Sequence, residues 1–181
     1  MAQCPVRNDP HCPSCMHTYL SSPVGTLRIT GDISGVSAIS CLDDPMPDLF
    51  LIRNLPAPLQ QACDQLTDYF DGVRKDFTFL MAPIGTPFQQ RVWEALMTVP
   101  FGQTRSYLSL ARQLGDEKAI RAVASANGRN PLAIVVPCHR VIGSDGSLTG
   151  YAGGLWRKQW LLEHEGSRRK ANEGQLKLFA F

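Results

Sequence analysis

The chain changes character at Ala82-Pro83-Ile84-Gly85-Thr86-Pro87, where two prolines and a glycine end any regular element and a helix start follows at once. Thr86 can serve as N-cap and Pro87 suits the first helical position, ahead of Phe88, Val92, Trp93 and Leu96 at helical spacing. Upstream, Thr18 to Leu20 and Thr26 to Thr30 flank the turn residues Ser22-Pro23-Val24-Gly25, and Val36 to Cys41 follows Ser34-Gly35. That pattern predicts a small antiparallel sheet. Leu59, Ala62, Leu66, Tyr69 and Phe70 recur as on a helix, and Phe77, Phe79 and Met81 alternate as on a further strand. The expected fold class is α/β: a small N-terminal antiparallel-sheet-plus-helix unit over residues 18–83, then a mostly helical unit over 84–166. Residues 1–17, rich in Pro and Cys, read as a flexible tail, and 167–181 as a second one.

Within the helical unit, Ser106 can cap a short helix ending at Leu114, and Gly115-Asp116 leads into a second helix from Glu117 to Asn127. Two short helices across a tight glycine turn make a helix-turn-helix candidate. The second helix is unusual, because Ala119, Ala122, Ala124, Ser125 and Ala126 leave little bulk and few polar groups to read base edges. It suits close approach to a groove, with Arg121 as its one long cation; an alanine-rich core helix fits the same pattern. Leu132 to Val136 reads as a buried strand. Leu155 to Glu165 reads as a helix stopped by Gly166, which leaves Glu165 at a helix end, free to turn back on other elements.

Charge is unevenly placed although the 181-residue chain carries only +2 overall. From His17 to Pro100 there are five Lys/Arg against nine Asp/Glu; from Phe101 to Trp160, eight against three. A basic second unit suggests a localised polyanion-binding face, and a solvated helix face is the plainer reading of the same charges. No run of about 18 apolar residues is present and the start lacks a signal-peptide core, so the protein is expected in the cytosol, or the nucleus of a eukaryote. Its six cysteines should then be reduced thiols.

The chemistry concentrates at Val135-Val136-Pro137-Cys138-His139-Arg140-Val141, an apolar run that stops at a proline and presents a cysteine beside a histidine. A thiolate is a strong nucleophile, and a neighbouring imidazole can take its proton. With a distant carboxylate the pair could form a relay of thiol, base and orienter. A Cys-His dipeptide alone is more often an inert core cysteine.

Three ordered blocks sharpen the reading: Val135 to Gly143, Thr149-Gly150-Tyr151-Ala152-Gly153-Gly154, and Lys158-Gln159-Trp160-Leu161-Leu162-Glu163-His164-Glu165-Gly166. Together they resemble the signature of the O6-alkylguanine-DNA alkyltransferases, also called methylated-DNA–protein-cysteine methyltransferases. The likeness extends back through Gly102 to Tyr107 and the helix-turn-helix, and more weakly to Ser21 to Gly25. The resemblance implies a ribonuclease H-like N-terminal unit and transfer of an alkyl group from O6 of guanine, and often O4 of thymine, to Cys138. The S-alkylcysteine is not regenerated, so one molecule repairs one lesion.

Carried over from the family, His139 would act through a water as base for Cys138, Glu165 would orient the imidazole, and Tyr107 would donate to the purine as it leaves. Asn130 would buttress the active-site turn. Val141, Tyr151, Ala152 and Gly153 would form the substrate pocket. The damaged base must leave the stack; the resemblance implies that the helix-turn-helix binds the minor groove of double-stranded alkylated DNA, with Arg121 filling the gap in the stack. Ala119, Ala122, Ser125, Ala126 and Arg129 would line that DNA. No cofactor and a monomer are expected.

Two segments lie outside this core. Cys4, His11, Cys12, Cys15 and His17 include a Cys-x-x-Cys that could hold a structural zinc, but no second Cys pair completes it, so no metal is expected. Gln175-Leu176-Lys177-Leu178-Phe179 resembles the short peptide by which bacterial DNA-processing proteins dock on the sliding clamp; packing back on its own domain is the alternative. Other functional classes compete. A non-catalytic lesion binder would lack the nucleophile, a transcription regulator would need a base-reading helix, and a cysteine hydrolase would need an oxyanion hole.

Overall fold

The computed structural model describes residues 16–43 and 54–167. Three strands, β1 (Met16–Ser22), β2 (Gly25–Asp32) and β3 (Gly35–Leu42), pair antiparallel in that order. The β1–β2 turn is set by Gly25, whose φ of 96° is a conformation that L side chains rarely adopt. Leu27, Ile29, Val36 and Ile39 are buried, and helix α1 (Ala57–Phe70) lays Leu59, Ala62, Leu66 and Tyr69 into the same core. The helical period read from the sequence is the buried stripe of α1.

The helical unit opens as its sequence predicts. Helix α2 (Pro87–Met97) has a reciprocal capping box, with Gln89 N donating to Thr86 Oγ1 (3.3 Å) and Thr86 N to Gln89 Oε1 (2.8 Å). A two-residue strand β4 (Arg105–Ser106) precedes helix α3 (Tyr107–Gln113), and helix α4 (Ile120–Gly128) completes the helix-turn-helix. The strand β5 (Val141–Ile142) pairs parallel with β4, and helix α5 (Leu155–His164) ends the unit with Glu165 as C-cap and Gly166 at φ 72°.

Four expectations need correction. The strand expected at Phe77 to Met81 is reduced to a single bridge, Met81 to Val36, because only Leu80 O and Ala82 N bond to the edge of β3. The strand expected at Leu132 to Val136 is a buried turn: Val136 N bonds back to Leu132 O, and side-chain hydrogen bonds from Asn130 replace a ladder. The second helix of the helix-turn-helix starts as a 3-10 turn over Glu117–Ala119 before becoming α-helical at Ile120. The sheet begins at Met16, so His17, assigned to the tail, pairs with Thr30 in β1. The rest of the candidate zinc cluster (Cys4, His11, Cys12, Cys15) and the clamp-like Gln175 to Phe179 lie outside the described residues. Among the described residues no helix is long and apolar enough to cross a membrane.

The two units meet through hydrogen bonds that matter for the site. Ile39 N donates to Pro131 O (2.8 Å) and Ala133 N to Ile39 O (3.2 Å), tying β3 to the turn that precedes Cys138. Arg157 of α5 donates to Val24 O (2.7 Å) and Leu42 O (3.1 Å) on the sheet.

Candidate active site

Cys138 sits at the first position of a single 3-10 turn, Cys138–Arg140, directly after Pro137. The turn before it is held by one side chain. Asn130 Nδ2 donates to Val136 O (2.8 Å) and Leu132 O (3.3 Å), while its Oδ1 accepts from Leu132 N (3.0 Å). Inside this turn Ile134 adopts φ 73°, an outlier for a β-branched residue that persists only where surroundings over-determine it. The bonds of Asn130 and the β3 bridge supply that constraint.

Glu165 gathers the buried polar groups around its carboxylate. His139 Nε2 lies 2.9 Å from Oε1, Arg140 donates Nε to Oε2 (2.8 Å) and Nη2 to Oε1 (2.9 Å), and Tyr69 Oη donates to Oε1 (2.9 Å). Burial pushes the Glu165 carboxyl up, but the hydrogen bonds of His139 and Arg140 and the Arg140 charge outweigh it and hold it at about 2. An ionised carboxylate puts the proton of a neutral imidazole on Nε2, which leaves His139 Nδ1 a lone-pair acceptor. Among the described residues, none hydrogen-bonds to buried Nδ1. Burial also lowers the pKa of His139, against the pull of Glu165, so the ring rests neutral and able to accept a proton. The same burial pushes the Cys138 thiol up, against Asn130, Lys158 and the backbone N–H groups of Cys138 and His139. Cys138 therefore rests as a thiol and must lose its proton during reaction.

Lys158 is buried in the helix α5 stripe. Its Nζ donates to Val141 O (2.6 Å) and Thr149 O (2.8 Å), and burial lowers its pKa to about 8 despite the pull of Cys138. Tyr107, first residue of α3, is brought beside this region by the β4–β5 pairing, and its hydroxyl donates to Thr149 O (3.4 Å). Burial raises the pKa of that hydroxyl, which keeps it a donor. A cavity of about 200 Å³ opens at Cys138, with Tyr151, Ala152 and Gly153 on one wall and Ser40 and Cys41 of β3 on another. Gly153 is closely packed there: a Cβ would lie 3.0 Å from the Tyr151 ring, which would have to shift by a few tenths of an ångström. Val141 is buried beside the sulfur-bearing turn, with its carbonyl already accepting from Lys158.

On α4, Arg121, Ala122, Ser125 and, just beyond the helix, Arg129 are exposed, and Ala119 is half-buried in the 3-10 turn before it. Ala126 does not join that face. It is buried against α2, where its carbonyl accepts from Trp93 Nε1 (3.0 Å). Sequence reasoning thus assembled Cys138, His139, Glu165, Asn130, Tyr107, Tyr151 and Gly153 around one region, but gave no role to Arg140, Lys158 or Tyr69. Two signals were present: a lysine at 158 in the stripe continued by Leu161, Leu162 and Glu165, and an arginine inside the apolar run at 140. Nothing local marks the Tyr69 hydroxyl, whose partner is 96 residues away.

Two family models match the chain, the ribonuclease-like domain of 6-O-methylguanine DNA methyltransferase over residues 15–83 and its DNA-binding domain over 87–167. Among curated relatives, the methylated-DNA–protein-cysteine methyltransferase of Mycobacterium tuberculosis is 47% identical over 154 residues, covering 84% of this chain and 93% of its own. That of Methanosarcina acetivorans is 43% identical over 155 residues, 83% of this chain and 98% of its own. The crystal structure of Mycobacterium tuberculosis OGT in complex with DNA superposes with a TM-score of 0.74 at 46% identity, covering 83% of this chain and 92% of that one. Fold and site define a cysteine-centred transferase built from a ribonuclease-like α/β unit and a helix-turn-helix unit. The chain belongs to the 6-O-methylguanine DNA methyltransferase family.

Proposed function

We infer that this protein repairs alkylated DNA by moving the alkyl group from O6 of guanine, and from O4 of thymine, onto Cys138 in a single irreversible turnover, acting as a monomer. The observation that carries the reading is Cys138 at a cavity wall, followed in sequence by a neutral His139 whose other nitrogen is fixed on the Glu165 carboxylate. In the proposed step, the Cys138 proton passes through a water to His139 Nδ1, and Glu165 stabilises the imidazolium. The sulfur attacks the alkyl carbon, a C–S bond forms, the C–O6 bond breaks, and the electron pair leaves with guanine. Tyr107 supplies a hydrogen bond or proton to the departing purine, and Lys158 supplies positive charge near the developing thiolate. No other reactant is needed.

DNA binding in this reading uses the exposed face of α4 in the minor groove, with the lesion rotated into the pocket and Arg121 taking its place in the stack. The relative solved in complex with DNA supports DNA binding by this fold. Incubation with duplex carrying O6-methylguanine, followed by peptide mapping, should place one methyl group on Cys138 and stop at one equivalent. Turnover beyond one equivalent, or the methyl on another residue, refutes the reading.

A further inference from the structure

Helix α1 belongs to the N-terminal unit, yet its Tyr69 sends a hydroxyl across to the relay of the other unit, donating to Glu165 Oε1 at 2.9 Å. The ring is fully buried among Phe70, Phe77, Phe101 and His164, with centroid separations of 5.0–6.2 Å. Phenylalanine would pack the same ring there, so packing does not explain the oxygen. A phenol taken out of water is destabilising unless its hydroxyl finds a partner, and here the partner is Oε1.

That oxygen is the one His139 uses. Oε1 accepts from His139 Nε2, Tyr69 Oη and Arg140 Nη2, each at 2.9 Å, whereas Oε2 takes Arg140 Nε (2.8 Å) and Gly102 N (3.4 Å). A hydrogen bond to an ionised carboxylate stabilises that charge and lowers its demand for a proton. The Tyr69 bond therefore lessens the pull of Oε1 on the His139 proton. Burial keeps the phenol protonated, helped by the Glu165 charge, so Tyr69 donates throughout and takes no proton itself.

We propose that Tyr69 is a positioning residue for the alkyl transfer, acting through Glu165 to hold the His139 imidazole neutral, with Nδ1 open, at neutral pH. The proposal rests on the alkyl-transfer reading above. Without the hydroxyl, Oε1 turns more of its charge on Nε2–H and stabilises the imidazolium before reaction begins. Nδ1 then already carries a proton when the Cys138 proton needs a place to go. The path itself is unchanged: the proton leaves Cys138 Sγ and passes through a water to Nδ1, while Tyr69 keeps its own. The other charged or titratable groups facing His139 and Tyr69 are Cys138, Arg140, Lys158, Tyr151, Lys75 across the Phe101 ring, and His164, whose Nε2 bonds to the Tyr69 carbonyl at 2.8 Å. None of these is altered when the Tyr69 hydroxyl alone is removed.

The test is the pH profile of single-turnover transfer from duplex carrying O6-methylguanine, read on its acid limb, where protonation of His139 switches transfer off. Tyr69→Phe should move the midpoint of that limb up by about half a pH unit or more, which is about a threefold loss of rate at pH values below it. 3-Fluorotyrosine placed at position 69 keeps the oxygen and makes it a stronger donor, so it should move the midpoint down. It also carries the test should Tyr69→Phe fail to fold. Phe77→Leu and His164→Gln disturb the packing of the Tyr69 ring but keep its hydroxyl, so they should leave the midpoint in place whatever they do to stability. An unmoved midpoint in either of the position-69 proteins overturns the proposal, and so does an equal upward shift in either packing variant. Failure of the unaltered protein to take methyl from O6-methylguanine overturns the alkyl-transfer reading itself, whereas methyl transfer with one common midpoint overturns the role of Tyr69 alone.

Discussion

Replacing Glu165 by glutamine removes one negative charge and almost nothing of the side chain's shape. In the native protein that charge accepts from Tyr69, His139 and both Nε and Nη2 of Arg140 at 2.8–2.9 Å. Glutamine would face some of these donors with its own N–H₂, and the buried Arg140 guanidinium would keep the Val99 carbonyl and one neutral amide oxygen in place of the carboxylate. Removing one partner of a buried ion pair costs about 3–5 kcal/mol, chiefly for the charge left behind. The pH dependence gives a second, independent handle. A carboxyl whose pKa falls from 4.5 unfolded to about 2 folded contributes about 3 kcal/mol. That contribution is fully present above pH 4.5 and is lost as pH drops towards 2. Urea denaturation of both proteins should therefore show Glu165→Gln less stable by about 3–5 kcal/mol at neutral pH, with the gap closing by most of that amount as the medium is acidified through this window. A gap below about 1 kcal/mol at neutral pH, or one that does not narrow in acid, refutes the assignment of Glu165 as the ionised hub of the site.

Other substitutions separate the remaining parts. Cys138→Ala should abolish transfer and leave duplex binding in a gel-shift assay intact; an unchanged transfer rate removes Cys138 from the chemistry. Arg121→Ala should slow transfer from duplex far more than from a free O6-alkylguanine base, and equal losses would take the arginine out of the flipping step. Lys158→Met breaks two charge-assisted hydrogen bonds to Val141 and Thr149, so it should loosen the segment between them, seen as faster amide exchange there, and slow transfer about tenfold or more; protection equal to the unaltered protein would contradict this. Thr86→Ala removes half of the α2 capping box and should lower stability by about 1 kcal/mol without changing transfer chemistry.

What could be read from the chain alone is what local physics governs. The Pro-Gly break at 82–87 and the Thr86 cap placed the start of α2, the spacing of Leu59, Ala62, Leu66 and Tyr69 placed the buried face of α1, and Gly25 marked the first hairpin. The Cys138-His139 pair and the position of Glu165 at a helix end were also visible, because nucleophile and base are adjacent and the helix stop is a glycine. Only the tertiary structure decided that residues 132–136 turn instead of extending, since the competing hydrogen bonds come from the Asn130 side chain and from β3, some ninety residues upstream. It alone placed Ala126 inside, under Trp93, and gathered Tyr69, Arg140 and His139 on one carboxylate. It also decided the resting state of Cys138: Asn130, Lys158 and backbone N–H groups favour the thiolate, but burial outweighs them. Periodicity and caps report the free energy of nearby backbone and apolar faces, whereas a buried polar network and its protonation states depend on which distant groups share one dry volume, and no stretch of sequence contains that information.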